Sequence, residues 1–87
     1  METTKTIARL IEHELNITND QYIVINDVAI KGESKATSQH LVLIRMTGTQ
    51  DYHLVQYWGD GSYRIIGCLW NRYEAYAELK ARINASL

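Results

Sequence analysis

The segment from Gln39 to Cys68 constrains the fold of this 87-residue chain most strongly, because it contains successive β-rich runs separated by short polar turns. The runs cover residues 39–47, 51–58 and 63–68 and are rich in β-branched and aromatic residues. The Asp60-Gly61 pair separates the last two runs and is typical of a two-residue type I′ turn. The segment therefore predicts consecutive antiparallel strands joined by hairpins.

The residues before this segment predict one helix and one further strand. Apolar side chains recur at helical spacing over residues 4–15. Residues 22–30 are rich in β-branched residues, but their alternation is imperfect, so either both faces are partly buried or Asn26 and Asp27 form a bulge, and we favour the bulge. The polar residues 31–38 are expected to form a surface loop between this strand and the next.

The C-terminal residues predict a second helix over residues 72–85. Asn71 is a suitable N-cap, and Glu74 follows three residues later, as in a capping box. The buried stripe of this helix is expected to be Tyr76, Leu79 and Ile83.

These elements predict an α+β fold in the order α-β-β-β-β-α. The simplest packing is one four-stranded antiparallel sheet with the N-terminal and C-terminal helices on one face. Residues 1–87 are expected to form a single α+β domain.

The predicted hairpin also assigns strand residues to the two faces of the sheet. A two-residue turn pairs Trp58 with Tyr63 and aligns Ile44, Val55 and Ile66 as the helix-covered row. The opposite face is then uncovered, and its composition resembles a protein interface. The expected partner-binding residues on it are Arg45, Tyr52, Gln56, Trp58 and Tyr63. With the faces inverted, the exposed set becomes His53, Tyr57, Arg64 and Cys68.

Composition and charge exclude several classes of protein. A net charge of −1, with basic and acidic residues mixed along the chain, gives no field that would recruit nucleic acid or an anionic membrane by itself. Cys68 is the one cysteine, so an intrachain disulfide and a cysteine zinc site are both excluded. No apolar run approaches the ~20 residues that a membrane span needs. We expect a cytoplasmic location, no membrane association and no cofactor.

Catalytic and metal-binding motifs are absent from the sequence. His53 and Cys68 face each other in the predicted register, but a buried cysteine normally acts as a small apolar residue. Asp51 and His53 alternate on one strand, yet a metal site needs a third ligand that the sequence does not supply. The expectation is a protein with no catalytic residues and no metal site.

The remaining hypothesis is a small non-enzymatic, regulatory module, similar in role to an inhibitor or adaptor, that binds a protein partner. A second copy of the chain is one such partner, which would make a homodimer. The alternative is nucleic-acid binding, since the layout resembles that of double-stranded RNA-binding domains, and Tyr52, Trp58 and Tyr63 could stack on bases. Steep salt dependence would distinguish phosphate contacts from an apolar interface.

Overall fold

A computed structural model describes residues 2–86, apart from the side chains of residues 2–4 and of Cys68. The predicted α-β-β-β-β-α order is confirmed. The elements are α1 (Glu2–Glu14), β1 (Tyr22–Ile30), β2 (Gln39–Met46), β3 (Tyr52–Trp58), β4 (Tyr63–Leu69) and α2 (Arg72–Ala85). The strands form one antiparallel sheet in the order β1-β2-β3-β4, so β2 and β3 are its central strands.

The two helices lie on opposite faces of this sheet, which differs from the expected packing on one face. Ile7 and Ile11 of α1 pack with Val42 and Ile44 of β2 and Val55 of β3, a cluster that we call the α1 core. The α2 core lies on the other face and consists of Leu41, Leu43, Leu54, Leu69, Ala75 and Leu79. Successive strand residues point to opposite faces, so the alternating residues of β2 belong to different cores. Both faces of the sheet centre are therefore covered.

The β3–β4 hairpin has a three-residue loop rather than the predicted two-residue turn. The Trp58 N–H donates to the Ser62 carbonyl at 2.9 Å, and the Gly61 N–H donates to the Trp58 carbonyl at 3.0 Å. Gly61 has a φ of +93°, whereas Asp60 does not take a positive φ. A tight turn followed by a glycine of positive φ is the usual geometry of a three-residue hairpin loop.

The extra loop residue shifts β4 by one position against β3. Tyr57 pairs with Tyr63 and Val55 with Ile65, whereas a two-residue turn would pair Trp58 with Tyr63. Since a one-residue slip exchanges the two faces of a strand, Tyr63 and Ile65 lie on the α1 face. The row across β2, β3 and β4 is Val42, Val55 and Ile65 rather than Ile44, Val55 and Ile66.

Strand β1 does contain a bulge, but at Ile25 rather than at the predicted Asn26 and Asp27, because the register shifts between Val24 and Asn26. Before it, Val24 pairs with Ile44 of β2, and after it Asp27 pairs with Val42. The bulge explains the imperfect alternation of this strand. The even-numbered residues before it and the odd-numbered residues after it lie on the same face of the sheet, because the strand contains one extra residue.

Two phenol groups connect α1 to the sheet. The Tyr22 hydroxyl donates to a Glu12 carboxylate oxygen at 2.9 Å. Burial, together with the hydrogen bond and the charge of Glu12, raises the pKa of Tyr22 to about 12. A hydrogen bond to Glu14 is the main cause that raises the pKa of Tyr63. The carboxylates of the last α1 turns thus hold the helix against both edge strands.

Gly61 allows a direct test of the hairpin. A Cβ would meet open space at both Gly61 and Gly48, but only Gly61 has a positive φ, so the pair isolates backbone strain. We expect Gly61→Ala to lower the free energy of unfolding by about 1–2 kcal/mol. Gly48→Ala should change it by less than about 0.5 kcal/mol. Equal effects of the two changes in urea denaturation would contradict the turn geometry.

Tyr22 predicts how stability depends on alkaline pH. The folded pKa is about 12, above the value of about 10 for an unfolded chain. The contribution of Tyr22 is therefore complete below about pH 10 and is lost as the pH rises towards about 12. Tyr22→Phe should lower the free energy of unfolding by about 1 kcal/mol at neutral pH. It should also make this free energy less dependent on pH between about 10 and 12. Urea denaturation across this range tests it, with Tyr73→Phe as the control; parallel curves for both variants would refute the assignment.

Candidate interaction surface

The five residues predicted to bind a partner do not share one open surface. The register places Arg45, Tyr52, Gln56 and Trp58 on the face that α2 covers. Tyr63 lies on the α1 face, opposite Tyr57. The prediction of an uncovered sheet face is thus corrected by the position of α2.

Gln56 illustrates why this face is closed. Its side chain is only 7% exposed, and its amide donates to the Gln39 side-chain oxygen at 2.6 Å. The Gln39 amide in turn donates to the Ser86 hydroxyl at 2.7 Å, just beyond α2. Gln56 therefore belongs to a polar connection between the sheet and α2. Tyr52 packs against the α2 core, and Arg45 and Trp58 are half-buried.

The inverted set does not form an open face either. Tyr57 packs against the α1 core, while Arg64 pairs with Gln56 and so points to the α2 face. The Nδ1 of His53 is buried without a hydrogen-bond partner among the described residues. Burial lowers the pKa of His53, and the charge of Asp51 opposes this shift. The proposed pairing of His53 with Cys68 lies outside the described side chains.

The two most exposed aromatic side chains among the described residues, Trp70 and Tyr73, lie just before and at the start of α2, while Tyr76 in α2 is about as exposed as Tyr63 on β4. Trp70 is 82% exposed, Tyr73 is 74% exposed and Tyr76 is 42% exposed. Tyr76 was expected in the buried stripe, but Ala75 and Leu79, four residues apart, occupy that position. We call the group of Trp70, Tyr73, Tyr76 and Arg72 the aromatic surface. Trp70 lies between β4 and α2, outside any periodic pattern, so helical spacing in the sequence does not signal this surface.

Capping interactions fix the backbone beneath this surface. The Asn71 side-chain oxygen accepts from the Glu74 N–H at 2.9 Å, as the sequence predicts. A Glu74 carboxylate oxygen accepts from the Trp70 N–H at 3.4 Å, one residue before the position that a standard capping box uses. The backbone that carries Trp70 is therefore tied to the first turn of α2.

The aromatic surface carries a cation but no strong field. The Arg72 guanidinium carbon lies 5.3 Å from the centroid of the Tyr73 ring, within the range of a cation–π interaction. Glu74 balances this charge within the same turn. Further along α2, Arg82 and Glu78 neutralise each other, with 3.0 Å between Nη2 and Oε1. Aromatic rings therefore make up most of this surface, and its positive charge is weak.

Gln56→Glu tests the buried polar connection with a nearly isosteric change. The new carboxylate could not donate a hydrogen bond to the Gln39 side-chain oxygen. Burial would also raise the pKa of the new carboxyl group above its usual value of about 4.3. The loss of stability should thus appear as the pH rises through about 4.3 and reach about 2 kcal/mol at neutral pH. Gln50→Glu, in an exposed turn, makes the same change in net charge as a control. A pH-independent loss in urea denaturation would contradict the buried connection.

Comparison with protein-family models, with curated proteins and with solved structures finds no match to this chain. No described helix combines the length and apolar character that crossing a membrane requires. Within residues 2–86, no three His, Cys, Asp or Glu side chains that are described form a group able to hold a metal ion.

Proposed function

We propose that this chain is a non-enzymatic interaction module that binds another protein through the aromatic surface. The observation that carries the proposal is the 82% exposure of Trp70 together with the 74% exposure of Tyr73, three residues further along the chain. Trp, Tyr and Arg are the residues most enriched among those that dominate binding energy at protein interfaces. The role would be regulatory, in the manner of an inhibitor or adaptor.

The size of the surface supports this proposal. An aromatic side chain buries roughly 150–250 Å² when it is fully covered. The exposed fractions of Trp70, Tyr73 and Tyr76 together correspond to about two complete side chains, or roughly 400 Å². A standard interface buries about 800 Å² on each partner. The aromatic surface could thus supply about half of the contact area of such an interface.

The chemistry of the surface also indicates the kind of partner. A protein with an apolar pocket and an acidic rim would accept the rings and pair with Arg72, which already lies over Tyr73. Nucleic acid could stack on the same rings, but Glu74 in the first turn of α2 opposes phosphate. We therefore favour a protein partner, and we place the interaction in the cytoplasm because the single cysteine allows no intrachain disulfide.

The test compares Trp70→Ala with a control at another exposed apolar side chain, on the sheet edge opposite the one that α2 follows. Ile23→Ala is suitable, because Ile23 is exposed on the edge strand β1 and α2 follows the other edge strand. Affinity capture with the unmodified chain identifies a partner, and calorimetry with the purified partner then measures Kd for each variant. We expect Trp70→Ala to weaken binding by about thirtyfold, equivalent to about 2 kcal/mol, and Ile23→Ala to leave Kd unchanged.

Two further measurements make the outcome decisive. Trp70→Ala should melt within a few degrees of the unmodified chain, since Trp70 contributes little buried area. Binding should weaken only slightly as salt increases, because phosphate neutralisation is not involved. Unchanged Kd for Trp70→Ala would refute the proposal. Steep salt dependence with competition by single-stranded nucleic acid would favour the alternative, and dimerisation abolished by Trp70→Ala would identify a second copy as the partner.

A further inference from the structure

A second surface feature lies at the other end of the sheet from Trp70. A cavity of about 520 Å³ opens between the end of β1, the start of β2 and the β3–β4 hairpin. Lys31, Lys35, His40, Tyr57, Ser38 and Thr6 are among its lining residues. Cavities of roughly 300–1,000 Å³ are typical of sites for small organic molecules.

The loop that carries the two lysines has a defined structure. The Gly32 N–H donates to the Ser38 hydroxyl at 3.0 Å, and that hydroxyl donates to the Ser34 carbonyl at 2.8 Å. The Ser34 N–H donates to the Thr37 hydroxyl at 2.9 Å. These bonds close residues 32–38 on themselves, so Lys35 extends from an ordered loop.

The same loop is fixed to the β3–β4 hairpin at Gly59. The Gly59 N–H donates to the Ser38 carbonyl at 2.9 Å. A Cβ at this position would lie 1.8 Å from the Lys35 carbonyl oxygen, so only glycine allows the two segments to approach this closely. The cavity wall is therefore preformed.

The charges around the cavity favour an anion. Lys31 and Lys35 are cationic, and none of the lining residues that the structure describes is acidic. His40 Nε2 contacts the Asp27 carboxylate, which orients the ring, and the positive charge at the cavity therefore comes from the two lysines. Lysine is a common ligand of phosphate groups.

We infer that this cavity binds a small phosphorylated organic molecule, with the phosphate between Lys31 and Lys35 and the organic part against Tyr57. The volume supports an organic ligand over free phosphate, because 520 Å³ is several times what a single phosphate group fills. The ring of Tyr57 provides an apolar wall for the rest of the molecule. The inference is independent of the aromatic surface, so either proposal can fail alone.

The experiment is an NMR titration of the ¹⁵N-labelled chain with adenosine 5′-monophosphate, glucose 6-phosphate, inorganic phosphate and the parent compounds adenosine and glucose. We expect saturable shifts at Gly32, Lys35 and Gly59 with at least one organic phosphate, and weaker binding of inorganic phosphate and both parents. Lys31→Gln and Lys35→Gln should each weaken binding by about tenfold or more. Lys80→Gln makes the same charge change on the exposed surface of α2 and should leave the affinity unchanged.

The controls distinguish a site from general attraction. Circular dichroism should show the lysine variants folded, since Lys31 and Lys35 are exposed. Linear, unsaturable shifts with every phosphate, or equal losses in Lys80→Gln and Lys35→Gln, would overturn the inference. Binding of inorganic phosphate as tight as that of the organic phosphates, or binding of the parents as tight as that of their phosphates, would overturn it as well.

Discussion

Burial of β2 on both faces determines the arrangement of the rest of the structure. Leu41, Val42, Leu43 and Ile44 are consecutive, and each is almost completely inaccessible to solvent. Neighbouring side chains on a strand point in opposite directions, so this run requires a hydrophobic cover above and below the sheet. Because α1 supplies one cover and α2 the other, β2 lies at the centre of the molecule and neither sheet face is free at that point.

The covered sheet has a direct consequence for function. With the centre of both sheet faces covered, the exposed large apolar side chains lie on the edge strands β1 and β4 and at the start of α2. Trp70 follows the last strand, and Tyr73 lies on the side of α2 away from Ala75 and Leu79, so both can be exposed at little cost to folding. Side chains that contribute little to stability but offer a large contact area are suited to binding, and the proposed function rests on that distinction.

Local sequence signals predicted the helices and strands well, but they did not predict which face of the sheet each side chain occupies. Helix α2 was predicted at its observed bounds, because Asn71 is an effective cap, and the strands were predicted within about one residue. The Gly59-Asp60-Gly61 sequence is compatible with a loop of two or three residues, and this difference alone moved Tyr63 to the other face. The continuous apolar run Leu41–Ile44 was the overlooked signal, since a strand with one open face alternates. The cavity depends on contacts between segments distant in sequence, such as Lys35 with Gly59, which periodicity does not encode.

Helix α2 is the physical link between the aromatic surface and the cavity. Its first turn carries Tyr73, and the Ser86 hydroxyl beyond its last turn accepts from Gln39, which also lines the cavity. Such a link becomes allosteric only if the intervening element has two arrangements with different affinities for each ligand. The contacts of α2 define one arrangement: Ala75 and Leu79 are buried against the sheet, and Arg82 is paired with Glu78. A ligand in the cavity would reach Tyr73 only by shifting this packed helix as a whole, so the two surfaces are expected to bind independently.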